Sequence, residues 1–302
     1  MRGATIALAL AAFHFASVGS HIVAKVHAQG LAPSLPADPD PKDLVRAELI
    51  ADAQALAPGR PFRLAVRLVM KEGWHVNWLN PGDAGLAPSV AWRLPKGFKF
   101  DLMCWPAPGR FPAGPLVIFG YAGELLLSID VTPPVELRPG DPVELVAEVS
   151  WLACAEACIP GSASLSLTLP VEATPRPNAK TSALIEDERK RCPAPSGAWS
   201  VDARVDDRQT MQLVLQTAAD TSATVNSAFF YPYEQGIVEN AAPQLLSVQP
   251  DPLGRNSYQL RVEVSRVATH VPERLNGVLV IERSAKDGGD TVIEVDVPLR
   301  TR

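Results

Sequence analysis

Long apolar runs are missing from most of this sequence, and so is any excess of positive charge. Beyond residue 28 no stretch approaches the roughly 18 consecutive apolar residues of a membrane-spanning helix, so the exported chain is expected to be soluble. Lysine and arginine number 28 against 33 aspartates and glutamates, a net charge of −5, which leaves no basic footprint for nucleic acid. Helical periodicity is scarce. Twenty-nine prolines and many short alternating runs disfavour an all-helical fold and favour β-sandwiches. Cysteine is sparse too, with four in 302 residues. A chain this long can bury a core without cross-links, so these cysteines are not needed merely for folding.

The first 28 residues read as a signal peptide. Arg2 supplies positive charge, Ala4 to Val18 is apolar but too short for a mature span, and Val26-His27-Ala28 fits a small-x-small cleavage pattern ending at Ala28. An uncleaved anchor is the alternative. Export places the cysteines in an oxidising compartment, where disulfides persist.

Residues 29–43, rich in Pro and Ala, read as a flexible tether. Residues 44–172 supply about eight short strands, the content of one immunoglobulin-like sandwich. Phe62, Leu64, Val66 and Leu68 share one face of a strong strand. Residues 105–114 read as a loop, and 116–121 with 124–131 as a hairpin broken at Ala122-Gly123. Residues 173–197 form a linker with a helix over Thr181–Arg191. Residues 198–302 carry six further strand patterns from Met211 onward and form a second β-sandwich domain. That half has no cysteine, no histidine cluster and no acid pair at a recognisable spacing. The expected fold class is therefore all-β, two sandwiches joined by a helical linker.

The chemistry concentrates in Trp151-Leu152-Ala153-Cys154-Ala155-Glu156-Ala157-Cys158-Ile159-Pro160-Gly161. Alternation continues on both sides, so the two cysteines fall at a turn between two strands. Three readings fit the spacing. A permanent local disulfide closes a loop too short to stabilise much, below the roughly 3 kcal/mol of a 15-residue loop. A thiolate pair for Cu(I) suits sulfur's softness, but no spacing joins Cys104, Cys192 or His75 to it. A reversible dithiol/disulfide couple is the third. Glu156, between the sulfurs, is a possible modulator of proton transfer or simply a solvated turn residue.

Four ordered motifs bear on this choice. They are Gly73-Trp74-His75-x-x-Trp78-x-Asn80-Pro81-Gly82-Asp83-x-Gly85, Trp105-Pro106-x-Pro108-x-Arg110-Phe111, Gly120-Tyr121-x-Gly123-Glu124, and Trp151-Leu152-x-Cys154-x-Glu156-x-Cys158-Ile159-Pro160. Together they resemble the N-terminal periplasmic domain of DsbD-type thiol:disulfide interchange proteins, in particular the ScsB-like branch. The resemblance covers about residues 44–172, and residues 198–302 resemble that branch's extra module.

It implies an immunoglobulin-like domain whose redox pair is Cys154 and Cys158. Electrons would come from a membrane-embedded DsbD/CcdA-type donor and pass to periplasmic thioredoxin-fold proteins, with no cofactor. The chain stops at Arg302 without transmembrane or thioredoxin-like portions, so the donor is expected to be a separate protein. Three residues separate the cysteines, where the best-known relatives have five. Trp105 to Tyr121 matches the family's shielding loop by position, which makes Phe111, Phe119 and Tyr121 candidate shielding aromatics, with ordinary core packing the alternative for each. Cys104 and Cys192 fall outside every motif and are expected either to pair or to stay as buried thiols. Trp74 and His75 are expected to organise a turn.

Overall fold

The computed structural model describes residues 40–206, 209–217, 225–249, 257–284 and 289–301. The expected signal peptide and nearly all of the expected tether lie outside them. A four-residue helix, α1 (Pro41–Leu44), leads into a two-layer sandwich. One layer is a four-stranded sheet in the order β1-β3-β9-β6, from Val45–Ala51, Phe62–Met70, Glu124–Thr132 and Lys99–Phe100. The other runs β11-β10-β4-β8-β7, from Cys158–Pro170, Pro142–Cys154, His75–Gly82, Leu116–Ala122 and Gly109–Ala113. β5 (Ser89–Arg93) also pairs with β10, while β2 (Ala53–Ala55) and β12 (Arg176–Pro177) pair with each other.

Period-2 alternation builds both layers. Leu64, Val66 and Leu68 of β3 lie beside Ile129, Leu127 and Leu125 of β9 in one layer, and share the core with the buried row Leu145, Ala147, Val149, Trp151, Ala153 of β10 in the other. Each fully buried Leu or Val is worth roughly 1.5–3 kcal/mol relative to exposure, and together they fix the register.

Two local expectations change. Residues 116–121 and 124–131 do not form a hairpin: β8 belongs to one layer and β9 to the other. Gly123, at φ +74°, turns the chain across the sandwich, and its carbonyl accepts from Met70 N at 2.8 Å. Alternation around a small turn looks the same for a hairpin and for a corner between sheets, because only the pairing partner differs. The hairpin partner of β8 is instead β7, inside the stretch expected to be a loop. β7 is the outermost strand of its sheet, where Pro112 removes no needed ladder bond.

The linker helix, α2, spans Ala179–Arg189 and lies on the outer face of the four-stranded sheet. Its Ile185 is fully buried against Ala65 and Leu126, which explains why those two outward positions are apolar. Arg63 pairs with Asp130 and Glu186, and Arg189 reaches Asp130 at 2.9 Å. Just past the helix Cys192 is disulfide-bonded to Cys104, with Cα atoms 6.0 Å apart.

The second β-domain is one path of seven strands, β15-β18-β19-β13-β14-β17-β16. In chain order β13 to β19 are Trp199–Val205, Thr210–Thr217, Val225–Pro232, Leu245–Gln249, Ser257–Glu263, Arg274–Arg283 and Thr291–Thr301. β13 is an addition to the six strands expected there; Trp199, Ala203 and Val205 face the core while Asp202 and Arg204 lie between them. β19 passes between the two halves by pairing antiparallel with β18 and parallel with β13. Among the described residues no helix is long and apolar enough to cross a membrane.

The two domains share a packed, aromatic boundary. Trp78 and Phe119, both fully buried, meet Tyr231, Tyr233 and Phe229 of the second domain at centroid separations of 5.1–6.4 Å. Polar contacts frame them. Asn80 Nδ2 donates to Pro232 O at 2.8 Å, Gln235 Nε2 to Gly82 O at 2.8 Å, and Asn240 Nδ2 to Asp83 Oδ1 at 2.8 Å. The Asn80-Pro81-Gly82-Asp83 segment is thus an anchor for the second domain.

Candidate functional site

β10 and β11 pair in continuous register from Pro142↔Pro170 to Cys154↔Cys158. Thirteen paired positions extend the ladder to its tip, and three residues, Ala155, Glu156 and Ala157, close it. Directly opposed residues put their side chains on the same face at close range, so the hairpin itself brings the two sulfurs together. They form a disulfide, with Cα atoms 4.1 Å apart. Gly161 supports the approach. A Cβ there would lie 2.5 Å from Trp151 Nε1, so only glycine lets the buried indole lie across the neighbouring strand.

The two sulfurs are unequal. Cys154 is 4% exposed, whereas Cys158 is on the surface. Alternation explains the setting of Cys154. Trp151 and Ala153 face the core, so Cys154 faces the other side of the sheet. On that side its partner on β4 is His75, whose own other neighbour is Ala122 of β8. The Phe111 ring lies on the His75 ring, centroids 5.1 Å apart and 5° from parallel. Burial pushes the His75 imidazole below the ordinary histidine pKa of 6.5.

The other expected residues separate. Glu156 is exposed at the hairpin tip and makes no hydrogen bond or ion pair with the described residues. Phe119 points to the opposite face from Phe111 and packs edge-on against Phe229 and Tyr231. Tyr121, on that same inner face, is buried and donates its hydroxyl proton to Pro106 O at 2.6 Å. Burial raises its pKa well above the usual tyrosine range. The structure therefore stacks Phe111 on His75, the β4 partner of Cys154, and places Phe119 and Tyr121 in the core on the opposite face. Cys104 and Cys192 pair with each other, away from the hairpin.

Sequence reasoning passed over His75 as a site residue. The turn it was expected to organise closes one residue earlier, where Trp74 N donates to Lys71 O. His75 opens β4 instead. No signal links a histidine to a cysteine 79 positions away except the pairing of β4 with β10. A groove of about 550 Å³ flanks the hairpin, lined by Leu86, Ala87, Trp151, Leu152 and Pro160. Among the described residues no cluster of three or more His, Cys, Asp or Glu side chains suits a metal ion.

Residues 43–170 match the family described as thiol:disulfide interchange protein DsbD, N-terminal. Among solved structures, the N-terminal periplasmic domain of ScsB from Proteus mirabilis is similar over 86% of this chain and 96% of its own, with 16% identity and a TM-score of 0.58. That likeness shows a shared fold across both β-domains. A protein of unknown function from Porphyromonas gingivalis W83 aligns over 83% of this chain and 99% of its own at 14% identity, with a TM-score of 0.21. The major pilin subunit of Bacillus cereus (a D312A form) aligns over 85% and 69% at 8% identity, with a TM-score of 0.27. Scores that low carry no weight. No curated protein sequence matches the chain.

Proposed function

With residues 43–170 a domain of the DsbD N-terminal type, we propose that this protein relays reducing equivalents in the periplasm by thiol–disulfide exchange at Cys154 and Cys158. One observation carries the reading. The pair sits at the tip of a two-stranded ladder with one cysteine, Cys158, exposed and the other, Cys154, buried. A partner thiolate attacks Cys158 Sγ, the Cys154–Cys158 bond breaks, and the electron pair leaves on Cys154 Sγ. The mixed disulfide is then resolved by attack of Cys154 on Cys158 Sγ, which returns the partner thiol, or by a second partner thiol, which completes the transfer. The donor is a membrane-embedded DsbD/CcdA-type protein and the acceptors are thioredoxin-fold proteins; no cofactor is needed for this chemistry.

A static disulfide is the competing reading, and the reduction potential separates the two. Equilibration of the pair with glutathione or dithiothreitol is expected to give a potential near those of exchange proteins, about −120 to −270 mV. A value well below about −300 mV would mark an inert bond and end the relay reading. Cys158→Ser should abolish mixed-disulfide formation with a small disulfide probe, while Cys154→Ser should trap it.

A further inference from the structure

His75 and Cys154 are directly opposed on neighbouring antiparallel strands, so both side chains stand on the same face with Cβ atoms about 4.5–5.5 Å apart. Phe111 stacks on the imidazole and limits where that ring can go. The groups around His75 can be named. β10 and its turn bring Cys154, Cys158 and the exposed Glu156; β8 brings Ala122; β7 brings Phe111, with Arg110 turned to the opposite face. Among the described residues no carboxylate pairs with the ring. Burial alone acts on it, and it keeps the imidazole neutral near pH 7, ready to accept a proton.

We propose that His75 is the proton acceptor and donor for Cys154 during exchange, forming a thiolate–imidazolium pair with it in the reduced protein. The inference rests on the exchange reading above. In the first step a partner thiol attacks Cys158 Sγ, the bond between the two cysteines breaks and the buried Cys154 receives the electron pair. Neutral His75 takes up the proton the partner thiol releases, and the resulting imidazolium supplies the hydrogen bond that a desolvated thiolate needs. In the resolving step the Cys154 thiolate attacks Cys158 Sγ, the bond from Cys158 to the partner sulfur breaks, and the partner leaves as a thiolate that takes its proton back from the His75 imidazolium. The proton taken from the partner's thiol balances the one returned to it, and the Cys154–Cys158 disulfide is the oxidant that the first step consumes and the resolving step restores.

The test uses the chain as it is, oxidised and after reduction by dithiothreitol. Of the five histidines, three precede the expected cleavage site after Ala28, so the mature chain (residues 29–302) keeps His75 and His270 and their ring protons are easily told apart by NMR. The His75 titration midpoint is expected to rise by at least one pH unit on reduction, while His270 stays put. Equal midpoints in the two states would overturn the proposal. Iodoacetamide labelling of the reduced protein, resolved by cysteine with mass spectrometry, gives a second reading. In His75→Gln, Cys154 labelling at pH 6.5 should fall at least tenfold and match the wild type at pH 9. Parallel pH profiles would also overturn it. If the variant fails to fold, the wild-type titration still decides. A pair that dithiothreitol reduces but that does not exchange with glutathione, alongside a shifted His75 midpoint in the reduced protein, would instead remove the relay reading and leave the acid–base pair standing.

Discussion

Phe111 lies flat against His75, ring centroids 5.1 Å apart, and the residue before it points the other way. Arg110 holds its guanidinium 4.4 Å above the Phe229 ring of the second domain and donates to Asn240 O at 2.9 Å. Alternation along β7 thus makes one dipeptide span both faces of the sheet, with the cysteine side on one and the second domain on the other. Removing Phe111 leaves that clamp intact and loses a stacked pair worth about 0.5–1.5 kcal/mol. Phe111→Ala should therefore speed reduction of Cys154–Cys158 by dithiothreitol several-fold, measured by stopped-flow quench, with little change in unfolding midpoint. An unchanged rate would show that the ring does not shield the pair.

The two disulfides should differ in what they do for stability. Cys104–Cys192 spans 88 residues and ties the end of the linker helix to the first sandwich, whereas Cys154–Cys158 spans 4. Chain-entropy arguments give the long loop about 4–5 kcal/mol and the short one about 2 kcal/mol, both as upper figures. Cys104→Ser with Cys192→Ser should lower the urea midpoint clearly more than Cys154→Ser with Cys158→Ser. Comparable losses would deny the staple role of the long bridge.

Tyr121 and Phe119 are expected to behave as structural groups. Tyr121→Phe removes the donor to the Pro106 carbonyl and leaves a buried acceptor without it, a cost of about 1–3 kcal/mol. Phe119→Ala empties a fully buried site shared with Phe229 and Tyr231 and should cost about 3–5 kcal/mol. Both losses should appear in denaturant unfolding while the potential of the cysteine pair stays within error of the wild type. A shifted potential would instead draw these rings into the redox site.

Stability should also respond to His75. Its folded pKa lies below the unfolded value of 6.5, so the unfolded chain binds the proton first. The contribution of this group is fully present above about pH 6.5 and is lost as pH falls through the lower folded value. Urea unfolding of the oxidised protein should show this decline between pH 7 and 5, and His75→Gln should flatten it. The same slope in both proteins would assign it to other groups. Glu188 and Asp52 act in the opposite sense. Burial raises both, so their contributions are full below the ordinary carboxylate range and fade as pH rises through their folded values.

Apolar spacing and turn chemistry were enough to determine the all-β class, the cysteine-tipped hairpin, the helix in the linker and most strands of the second domain. These are local properties: alternation sets a strand, and opposing strands around a three-residue turn set Cys154 against Cys158. Partner choice was not local. Whether 116–122 and 124–132 pair or cross between layers depended on which strands lay beside them, and Pro112 hid an edge strand that no interior sheet would accept. Only the packed fold placed His75 beside Cys154, sent Phe111 and Phe119 to opposite faces, and joined Cys104 to Cys192. Sequence patterns carry the period of a strand but not its neighbour, and this site is built from neighbours.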